Sequence, residues 1–280
     1  MHPIKLRCPA CYAPLGSTFS CPNGHLYPIC NGVLELLNDD FGAKLRHFTS
    51  HFSRLREQES RRITDPTLFP RLPNALSHDP EWQQRTFDLH LIRRLLTGKT
   101  SLHILDIGAW NGWLSHRLAE IGHTVTAIDY FADPHDGLGA RPFYPTAWNA
   151  IQMNLEDLSC LDETFDVIIL NRCVQFFLDP PGYATQVRTK LAPNGIMILT
   201  GLAFFRDPRP KIQSVKDLRA HLNAHGFDFF KEIKGYLDLD DKQKMQNLGM
   251  RLSPYPQLRI SNLQSLLSAS APHHNYGVWR

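Results

Sequence analysis

The residues best suited to chemistry lie in an acidic turn that follows a short apolar segment at 102–107. Asp106 begins the spacing Asp-x-Gly-x-x-x-Gly, in which Gly108 allows a tight turn and Gly112 lets the backbone approach a ligand without a Cβ in the way. Asp129 ends the next predicted strand, where acids of doubly wound folds hydrogen-bond ribose hydroxyls. The pattern therefore predicts a binding site for a nucleoside cofactor.

The flanking sequence predicts the elements that position this turn. Branched apolar residues at 102–107 are typical of a strand buried on both faces of a parallel sheet. Apolar residues then recur at helical spacing over 113–121, Gly122 marks the end of that helix, and 124–128 forms a second strand. A strand, a turn, a helix and a strand in this order indicate a doubly wound α/β fold.

A dinucleotide is the alternative ligand, and the spacing argues against it. Dinucleotide sites use Gly-x-Gly-x-x-Gly so that a pyrophosphate can lie on a helix N-terminus. Here Asp106 replaces the first glycine, and its negative charge would repel a diphosphate. A carboxylate suits a cofactor with a cationic amino acid group, as in S-adenosylmethionine (SAM).

The turn resembles the first motif of class I SAM-dependent methyltransferases, and the resemblance extends over 102–200. Residues 153–166 look like the adenine-side loop of that family, 167–170 like its fourth strand, and 191–195 like the turn into a fifth strand at 196–200. The resemblance implies a doubly wound, seven-stranded, Rossmann-like sheet and SAM as the cofactor.

The resemblance also implies which residues hold that cofactor. Asn154 takes a position where the family often has an Asp that contacts the adenine amino group, and an amide oxygen can accept the same hydrogen bond. Leu155 would point its backbone N–H at a ring nitrogen, Tyr130 would stack on adenine, and Asn171 would lie beside the sulfonium. The predicted set is Asp106, Gly108, Ala109, Gly112, Asp129, Tyr130, Asn154, Leu155 and Asn171.

Structural roles compete with these assignments. Asp129 could cap a turn, Asp106 could be a structural acid, and Asn171 could simply finish its strand. For catalysis we predict His135 as a general base, because it lies in a long loop at the predicted cleft, together with Asn171. Arg141 and Tyr144 in the same loop region are candidates for substrate contact.

A metal site is predicted at the N-terminus. Cys8 and Cys11 form a Cys-x2-Cys turn, and Cys21 with His25 forms a Cys-x3-His turn nine residues later, which is zinc-ligand spacing. Cys30 is the alternative fourth ligand, although we favour His25. Four protein ligands leave no open position, so the zinc is expected to be structural.

This segment resembles two kinds of zinc ribbon. One precedes the SAM domain of ribosomal RNA guanine-N1 methyltransferases. The other occurs in small proteins that activate methyltransferases, and there the similarity is chiefly in Tyr27-Pro-Ile and Gly32. The resemblance spans about 30 residues and leaves the substrate open.

Composition narrows the class of protein. The chain has 280 residues, 42% hydrophobic content and a net charge of +3, which is modest for a dedicated nucleic-acid binder. No apolar stretch approaches the roughly 20 residues needed to span a bilayer. The polar segment 1–7 does not look like a secretory signal, and the six cysteines fit a reducing compartment, so we expect a cytoplasmic location.

Residues 44–62 are basic and amphipathic. Phe48, Phe52 and Leu55 recur at helical spacing, which favours a helix that packs on the domain with its cations in solvent. The alternative is a surface that tracks phosphates beside the ribbon. The cations of this segment are Lys44, Arg46, Arg54, Arg56, Arg61 and Arg62.

The remaining sequence completes the predicted domains. Residues 1–38 form the ribbon, 39–81 the basic helix and a proline-rich connector, and 82–280 the methyltransferase domain with a C-terminal extension. Helices are expected at 82–96, 215–226 and 240–248, and strands at 227–237 and 276–280; the segment 251–274 has no predicted role.

These patterns predict a SAM-dependent methyltransferase with a structural zinc ribbon. RNA is expected as the acceptor slightly ahead of a small molecule, with a protein third. The alternative is a non-catalytic SAM-fold module that recruits another methyltransferase. No membrane partner is expected, and the sequence does not predict the oligomeric state.

Overall fold

A computed structural model describes residues 3–59, 62–224, 226 and 230–280. Within these ranges no helix is both long and apolar enough to cross a membrane. The helices and strands, numbered in chain order, are β1 Ile29–Cys30, β2 Val33–Leu36, α1 Asp39–Gln58, α2 Pro80–Leu95, β3 His103–Ile107, α3 Trp113–Ala119, β4 Thr124–Asp129, β5 Asn149–Met153, β6 Phe165–Asn171, α4 Pro180–Arg188, β7 Leu191–Phe205, α5 Arg209–Ala224, β8 Leu237–Asp238, α6 Leu239–Asn247, β9 Arg251–Pro254, α7 Arg259–Leu267 and β10 His273–Trp279.

The strands form one mixed sheet whose centre is the predicted seven-stranded methyltransferase sheet. Seven of them follow the order β5-β4-β3-β6-β7-β10-β9. The five strands from β5 to β7 are parallel to their neighbours, whereas β10 runs antiparallel to both β7 and β9. The predicted fold class is confirmed. The carboxyl ends of β3, β4 and β6 meet at one edge, which is where ligands bind in such sheets.

The ribbon is joined to this sheet by backbone pairing. Strand β2 pairs in parallel with β5, from Val33 opposite Ala150 to Leu36 opposite Met153, and β1 folds back on β2. The ribbon residue Leu6 also forms an isolated bridge with Leu161. The N-terminal segment therefore extends the methyltransferase sheet at its β5 edge.

Alternate side chains of the central strands enter two cores, one on each face of the sheet. In β3, Leu105 and Ile107 pack on the face that also buries the ribbon residues Leu6 and Cys8. Ile104 packs on the opposite face. A strand buried on both faces needs apolar side chains at alternate positions on each face. This explains why every residue at 104–107 except Asp106 is apolar.

The helix α1 covers the edge where β4 ends. The Asn38 side chain caps it by accepting the N–H of Phe41, and Phe48 is buried on its inner face. Phe52 stacks on Phe131 with ring centroids 5.6 Å apart. The apolar stripe of this helix thus packs on the domain, as the periodicity predicts.

The C-terminal third differs from the sequence prediction in three places. The segment 251–254, which has no predicted role, supplies β9 and pairs with β10. The described part of the predicted strand at 227–237 contains only β8, which covers its last residue, while 227–229 lie outside the described residues. The predicted turn at 191–195 is already part of β7.

Candidate functional site

The glycine turn after β3 has the backbone that its spacing predicts. Gly108 and Gly112 have φ of +67° and +78°, in the left-handed region that favours glycine. The N–H of Gly108 donates to the Ile128 carbonyl at 2.9 Å, which holds the turn against β4. The turn therefore depends on both glycines for its conformation.

The space beside these glycines holds protein side chains. A Cβ on Gly112 would lie 2.3 Å from the Trp148 ring, and one on Gly108 would lie 2.7 Å from the Cβ of Cys173. A side chain at 112 is therefore excluded by Trp148, and close approach of a ligand to the Gly112 backbone stays a prediction. Ala109, which follows Gly108, is itself buried.

The carboxylate of Asp129 ties the end of β4 to the turn. Its Oδ2 accepts the N–H of Trp110 at 2.7 Å, and its Oδ1 accepts the N–H of Phe131 at 2.9 Å. Burial raises the pKa of Asp129 to about 6, against the lowering effect of these N–H donors. Asp129 thus has the turn-capping role that competed with ribose binding, but each oxygen keeps a lone pair for a hydroxyl donor.

Asp106 is fully buried, and only one of its two carboxylate oxygens has a hydrogen-bond partner among the described residues. Its Oδ2 accepts from the Ser115 hydroxyl at 2.6 Å, whereas Oδ1 has no hydrogen-bond partner among the described residues. Burial raises its pKa to about 7; the Ser115 hydrogen bond opposes that rise, and Asp129 adds to it. An unpaired buried carboxylate oxygen is costly, and an ammonium donor would satisfy it. The acidic turn therefore fits the cationic amino acid group of SAM.

The structure brings the predicted adenine-side residues together, but the side-chain oxygen of one of them is already hydrogen-bonded within the loop. Tyr130 is buried, and the N–H of Leu155 interacts with its hydroxyl. The Leu155 carbonyl accepts from the Tyr183 hydroxyl at 2.7 Å. The exception is Asn154, whose Oδ1 accepts the N–H of Glu156 at 3.1 Å within the loop itself.

Lys231 also lies beside Tyr130, and no pattern in the sequence identifies it. Its Nζ is 3.1 Å from both the Tyr130 hydroxyl and Glu156 Oε1, and 4.2 Å from the Phe177 ring centroid. The side chain is only 8% exposed, and burial lowers its pKa, while Glu156 opposes that effect. No motif marks a lysine so far along the chain, and only the folded structure places it against Tyr130.

Asn171, the last residue of β6, and Arg172 after it belong to a buried polar network around Asp88. Asn171 Nδ2 donates to Asp88 Oδ2 at 3.1 Å and to Thr200 Oγ1 at 2.6 Å. Arg172 Nε donates to the same carboxylate at 2.6 Å, and the Tyr255 hydroxyl donates to it at 2.6 Å. The amide hydrogens of Asn171 are thus used within the protein, as expected for a residue that finishes its strand.

His135 lies in a different environment from Asn171. Its Nδ1 is 3.4 Å from Arg62 Nη2, and its backbone N–H donates to Asp133 Oδ1 at 2.8 Å. The ring packs 6.1 Å from Phe143. In the described ranges its contacts do not include Asp106, Asp129 or Asn171, so the structure does not bring the two predicted catalytic residues together.

The four predicted metal ligands converge in the ribbon. Their ligand atoms all lie within 4.8 Å of one another. His25 Nδ1 is 3.2 Å from Cys21 Sγ and 3.5 Å from Cys8 Sγ, and Cys11 Sγ is 3.7 Å from Cys21 Sγ. Tetrahedral zinc with bonds near 2.3 Å needs ligand atoms roughly 3.7 Å apart, so the cluster fits this ion.

Cys30 lies outside this cluster. Its side chain is exposed on β1, where its thiol interacts with Glu35. Cys11 has the property expected of a ligand, because hydrogen bonds from the Ala13 backbone and the Asn23 side chain lower its pKa to about 7. Of the two candidates for the fourth ligand, the structure places His25 at the site.

The ribbon contacts the loop that holds the predicted adenine-side residues. Arg7 donates to both oxygens of Asp162, at 2.9 and 3.0 Å, and its backbone N–H donates to the Cys160 carbonyl. The Tyr12 hydroxyl donates to Asp157 Oδ2 at 3.0 Å. The ribbon that carries the four predicted metal ligands is thus joined directly to the predicted adenine-side loop.

The basic helix does not present all its cations to solvent. Arg56 pairs with Asp136 at 3.4 Å, and Arg62 pairs with Asp133 at 2.6 Å. By contrast Lys44, Arg46 and Arg54 are exposed. Arg61 lies outside the described residues.

Comparison with known proteins agrees with this fold. A family model described as "Methyltransferase domain" matches residues 81–235. Ubiquinone biosynthesis O-methyltransferase of Cereibacter sphaeroides is 34% identical over 104 residues, covering 36% of this chain and 41% of that protein. The protein of the same name in Azorhizobium caulinodans is 32% identical over 116 residues, covering 39% of this chain and 44% of that protein. The chain thus spans less than half the length of these curated relatives.

Two solved structures are similar at low sequence identity. Phosphoethanolamine N-methyltransferase 2 of Haemonchus contortus, in complex with SAM, has a TM-score of 0.48 and 16% identity, covering 69% of this chain and 51% of that chain. The plantazolicin methyltransferase in complex with SAH (S-adenosylhomocysteine) has a TM-score of 0.46 and 17% identity, covering 86% of this chain and 95% of that chain.

Proposed function

The chain belongs to the methyltransferase-domain family, and from that premise we propose that it transfers the methyl group of SAM to a small-molecule acceptor. The observation that carries the proposal is the acidic turn, in which Asp106 Oδ1 is buried without a partner and Asp129 ends the neighbouring strand. SAM supplies an activated methyl group, so the protein needs only to align a nucleophile, exclude water and accept a proton from a neutral acceptor.

Each part of the cofactor has residues that would hold it. Asp106 would accept from the ammonium group, and Asp129 from a ribose hydroxyl. Tyr130 and the backbone of Leu155 would bound the adenine. Asn154 has its oxygen committed to Glu156, so it would contribute to loop shape rather than to adenine binding.

A small acceptor is favoured over RNA by two observations. The relatives found in the comparison are named as O-methyltransferases of ubiquinone biosynthesis, a small-molecule pathway. In addition, Arg56 and Arg62 of the basic segment are paired with Asp136 and Asp133, so they are not free to track phosphates.

Catalytic roles for Asn171 and His135 stay predictions. Asn171 would act on the acceptor only through the network that holds it, since its amide donates to Asp88 and Thr200. His135 would need a substrate that extends to the turn beside Arg62. A proton acceptor is therefore best sought by measurement of rate against pH.

We propose that Cys8, Cys11, Cys21 and His25 hold one structural zinc ion. Thiolates of this kind persist in a reducing compartment, which fits a cytoplasmic location. The ion would fix the ribbon that contacts residues 157–162 and would take no part in methyl transfer.

The proposal is tested by titration of SAH into the purified protein in a calorimeter, followed by a transfer assay with radiolabelled SAM. We expect saturable binding of one SAH per chain, and label transfer to a member of a panel of small-molecule acceptors. An intact, folded protein that gives no binding heat would overturn the proposal and favour the non-catalytic module.

RNA is retained as a second candidate because Lys44, Arg46 and Arg54 of α1 are exposed. Its test is the affinity for bulk RNA at several salt concentrations. An RNA enzyme would bind more weakly as salt rises, with a steep slope, whereas we expect a flat response.

A further inference from the structure

Arg85 is a buried guanidinium in an aromatic setting. It extends from α2 and lies over the rings of both Trp82 and Trp110, 5.0 Å from each ring centroid. The two rings stack on one another with centroids 5.4 Å apart. Its side chain is only 16% exposed. A guanidinium so placed has lost most of its water but keeps its planar set of donors.

Its charge is poorly balanced. In the part of the chain that the structure describes, its one ion pair is with Glu81, at 3.6 Å, and that acid is 70% exposed. A solvated carboxylate at this distance offsets little of the charge. Burial lowers the pKa of the Arg85 guanidinium, and the nearby charge of Arg172 lowers it further.

The buried acid near Arg85 is already paired with a second arginine. Arg172 is paired with Asp88, which is fully buried and accepts its Nε at 2.6 Å. The acids that favour the charged form of Arg85 are Asp88, which Arg172 already occupies, and Glu81 and Asp79, which are both exposed. A monoanion beside Arg85 would give it the close counter-ion that these acids do not supply.

Arg85 lies beside the glycine turn where we propose that SAM binds. Trp110, under its guanidinium, belongs to the glycine turn and donates its N–H to Asp129. Asp106 of the same turn has the unpaired Oδ1 that fits an ammonium group. A positive group and a negative group thus flank one short turn, which is the arrangement that a zwitterionic ligand would complement.

We propose that Arg85 binds a carboxylate at this site, supplied by the amino acid group of SAM or by the acceptor. The inference rests on the proposed function, since it needs SAM to bind at the turn. Trp82 and Trp110 would hold the guanidinium plane, so that its free edge meets the carboxylate with two parallel N–H donors.

The test compares two probes that differ only in this carboxylate: SAH and decarboxylated SAH. Both are titrated into the wild-type chain, Arg85→Gln and Arg94→Gln, the last being a control with an exposed arginine on the same helix. If the cofactor supplies the carboxylate, the wild type and Arg94→Gln bind SAH about tenfold or more tightly than the decarboxylated probe. Arg85→Gln then loses that preference, while its affinity for decarboxylated SAH is unchanged.

If the acceptor supplies the carboxylate, SAH binding is unaffected by Arg85→Gln. The Kd of the SAH-bound chain for 3,4-dihydroxybenzoate, used as a carboxylate probe, then rises about tenfold in this variant, and the Kd for catechol, which lacks the carboxylate, does not. Arg85→Lys, which keeps the charge but loses the planar fork, serves as a second variant and should give a smaller loss.

The inference is overturned if a folded Arg85 variant discriminates as the wild type does within both pairs of probes. The pairs are SAH with decarboxylated SAH, and 3,4-dihydroxybenzoate with catechol. It is also overturned if neither variant folds, since Arg85 is then a structural residue. Failure of the wild type to bind SAH at all is a different result, because it removes the proposed function itself.

Discussion

Asp129 and Trp110 are 19 positions apart and are joined by a hydrogen bond of 2.7 Å from the Trp110 N–H to Asp129 Oδ2. Trp110 has φ of +51°, a left-handed conformation that is uncommon for a residue with a side chain. The carboxylate at the end of β4 therefore holds the turn after β3 in a conformation that its sequence does not favour. The side chain that we propose for ribose binding therefore also holds the turn geometry.

Replacement of Asp129 with Asn should weaken SAH binding by at least about tenfold, because an amide presents an acceptor to only one of the two N–H donors. Calorimetry measures the affinity, and urea denaturation measures the folding free energy. The matched control is Asp166→Asn. Asp166 accepts the His103 N–H at the start of β3, the end far from the turn. The control should lose stability but keep SAH affinity, and equal losses of affinity would contradict the assignment.

The stability of the ligand-free protein should fall as the pH rises from 6 to 8. The pKa of Asp106 is raised by burial from 3.8 to about 7, so the protonated form favours the fold. This contribution is fully present below pH 3.8 and is lost as the pH rises through 7. Between pH 6 and 8 it changes the unfolding free energy by on the order of 1 kcal/mol.

Urea denaturation of the wild type and of Asp106→Asn, at three pH values with zinc in excess, isolates this effect. Other groups titrate in both proteins, so the difference between their slopes belongs to Asp106. The asparagine variant should show the flatter dependence. Identical slopes would mean that Asp106 does not change its protonation state in this range.

The sequence predicted those features that depend on local spacing. The strand and glycine turn at 102–112 are predictable because buried strands and tight turns require residue types that are visible in the sequence. The convergence of Cys8, Cys11, Cys21 and His25 follows from the same logic, because two short turns bring ligands to one ion whatever lies around them.

Features that depend on long-range packing were not predictable. The pairing of β2 with β5 joins residues more than a hundred positions apart, and nothing in Val33–Leu36 identifies its partner. Likewise Trp148 fills the space beside Gly112 from a distant loop. The position of Asn154 predicts a ligand-binding residue, but its side-chain oxygen accepts a hydrogen bond within a local turn, which asparagines commonly form.

Substitution of a ribbon ligand should remove the metal and loosen the ribbon. Cys11→Ser is expected to lower the zinc content from about one per chain to near zero and the melting temperature by about 5 °C or more. Elemental analysis and thermal denaturation measure these changes. Cys30→Ser is the matched control, because Cys30 is exposed on β1, outside the cluster. An equal loss of zinc in the control would return Cys30 to the ligand set.

The hydroxyl of Tyr255 should stabilise the edge of the sheet beside Asn171. It donates to Asp88 at 2.6 Å and accepts the Gly201 N–H at 3.0 Å, and Tyr255 is buried. Tyr255→Phe therefore leaves one donor unpaired and Asp88 with one partner fewer, at a cost of about 1–3 kcal/mol. Tyr276→Phe, the control, removes a hydroxyl from a neighbouring ring and should change stability by less than about 0.5 kcal/mol. Urea denaturation distinguishes the two, and equal effects would exclude a special role for the network.

Two arginines of the basic segment should behave in opposite ways. Arg62 is 9% exposed and pairs with Asp133 and Asp136. Arg62→Gln leaves Asp133 without its cation and Asp136 with Arg56 alone, and it should destabilise the fold by about 2 kcal/mol. Arg54 is exposed, and Arg54→Gln should change stability by less than about 0.5 kcal/mol. Thermal and urea denaturation of the two variants test this difference.

The same pair of variants separates the structural role of the segment from phosphate binding. If its arginines bound RNA, Arg54→Gln would weaken binding to bulk RNA and reduce the salt slope, because each lost phosphate contact releases one counterion fewer. We expect no such change, since the acids at 133 and 136 pair with Arg62 and Arg56 and lower the positive charge around α1. A reduced slope in Arg54→Gln, with its stability intact, would restore RNA as the acceptor.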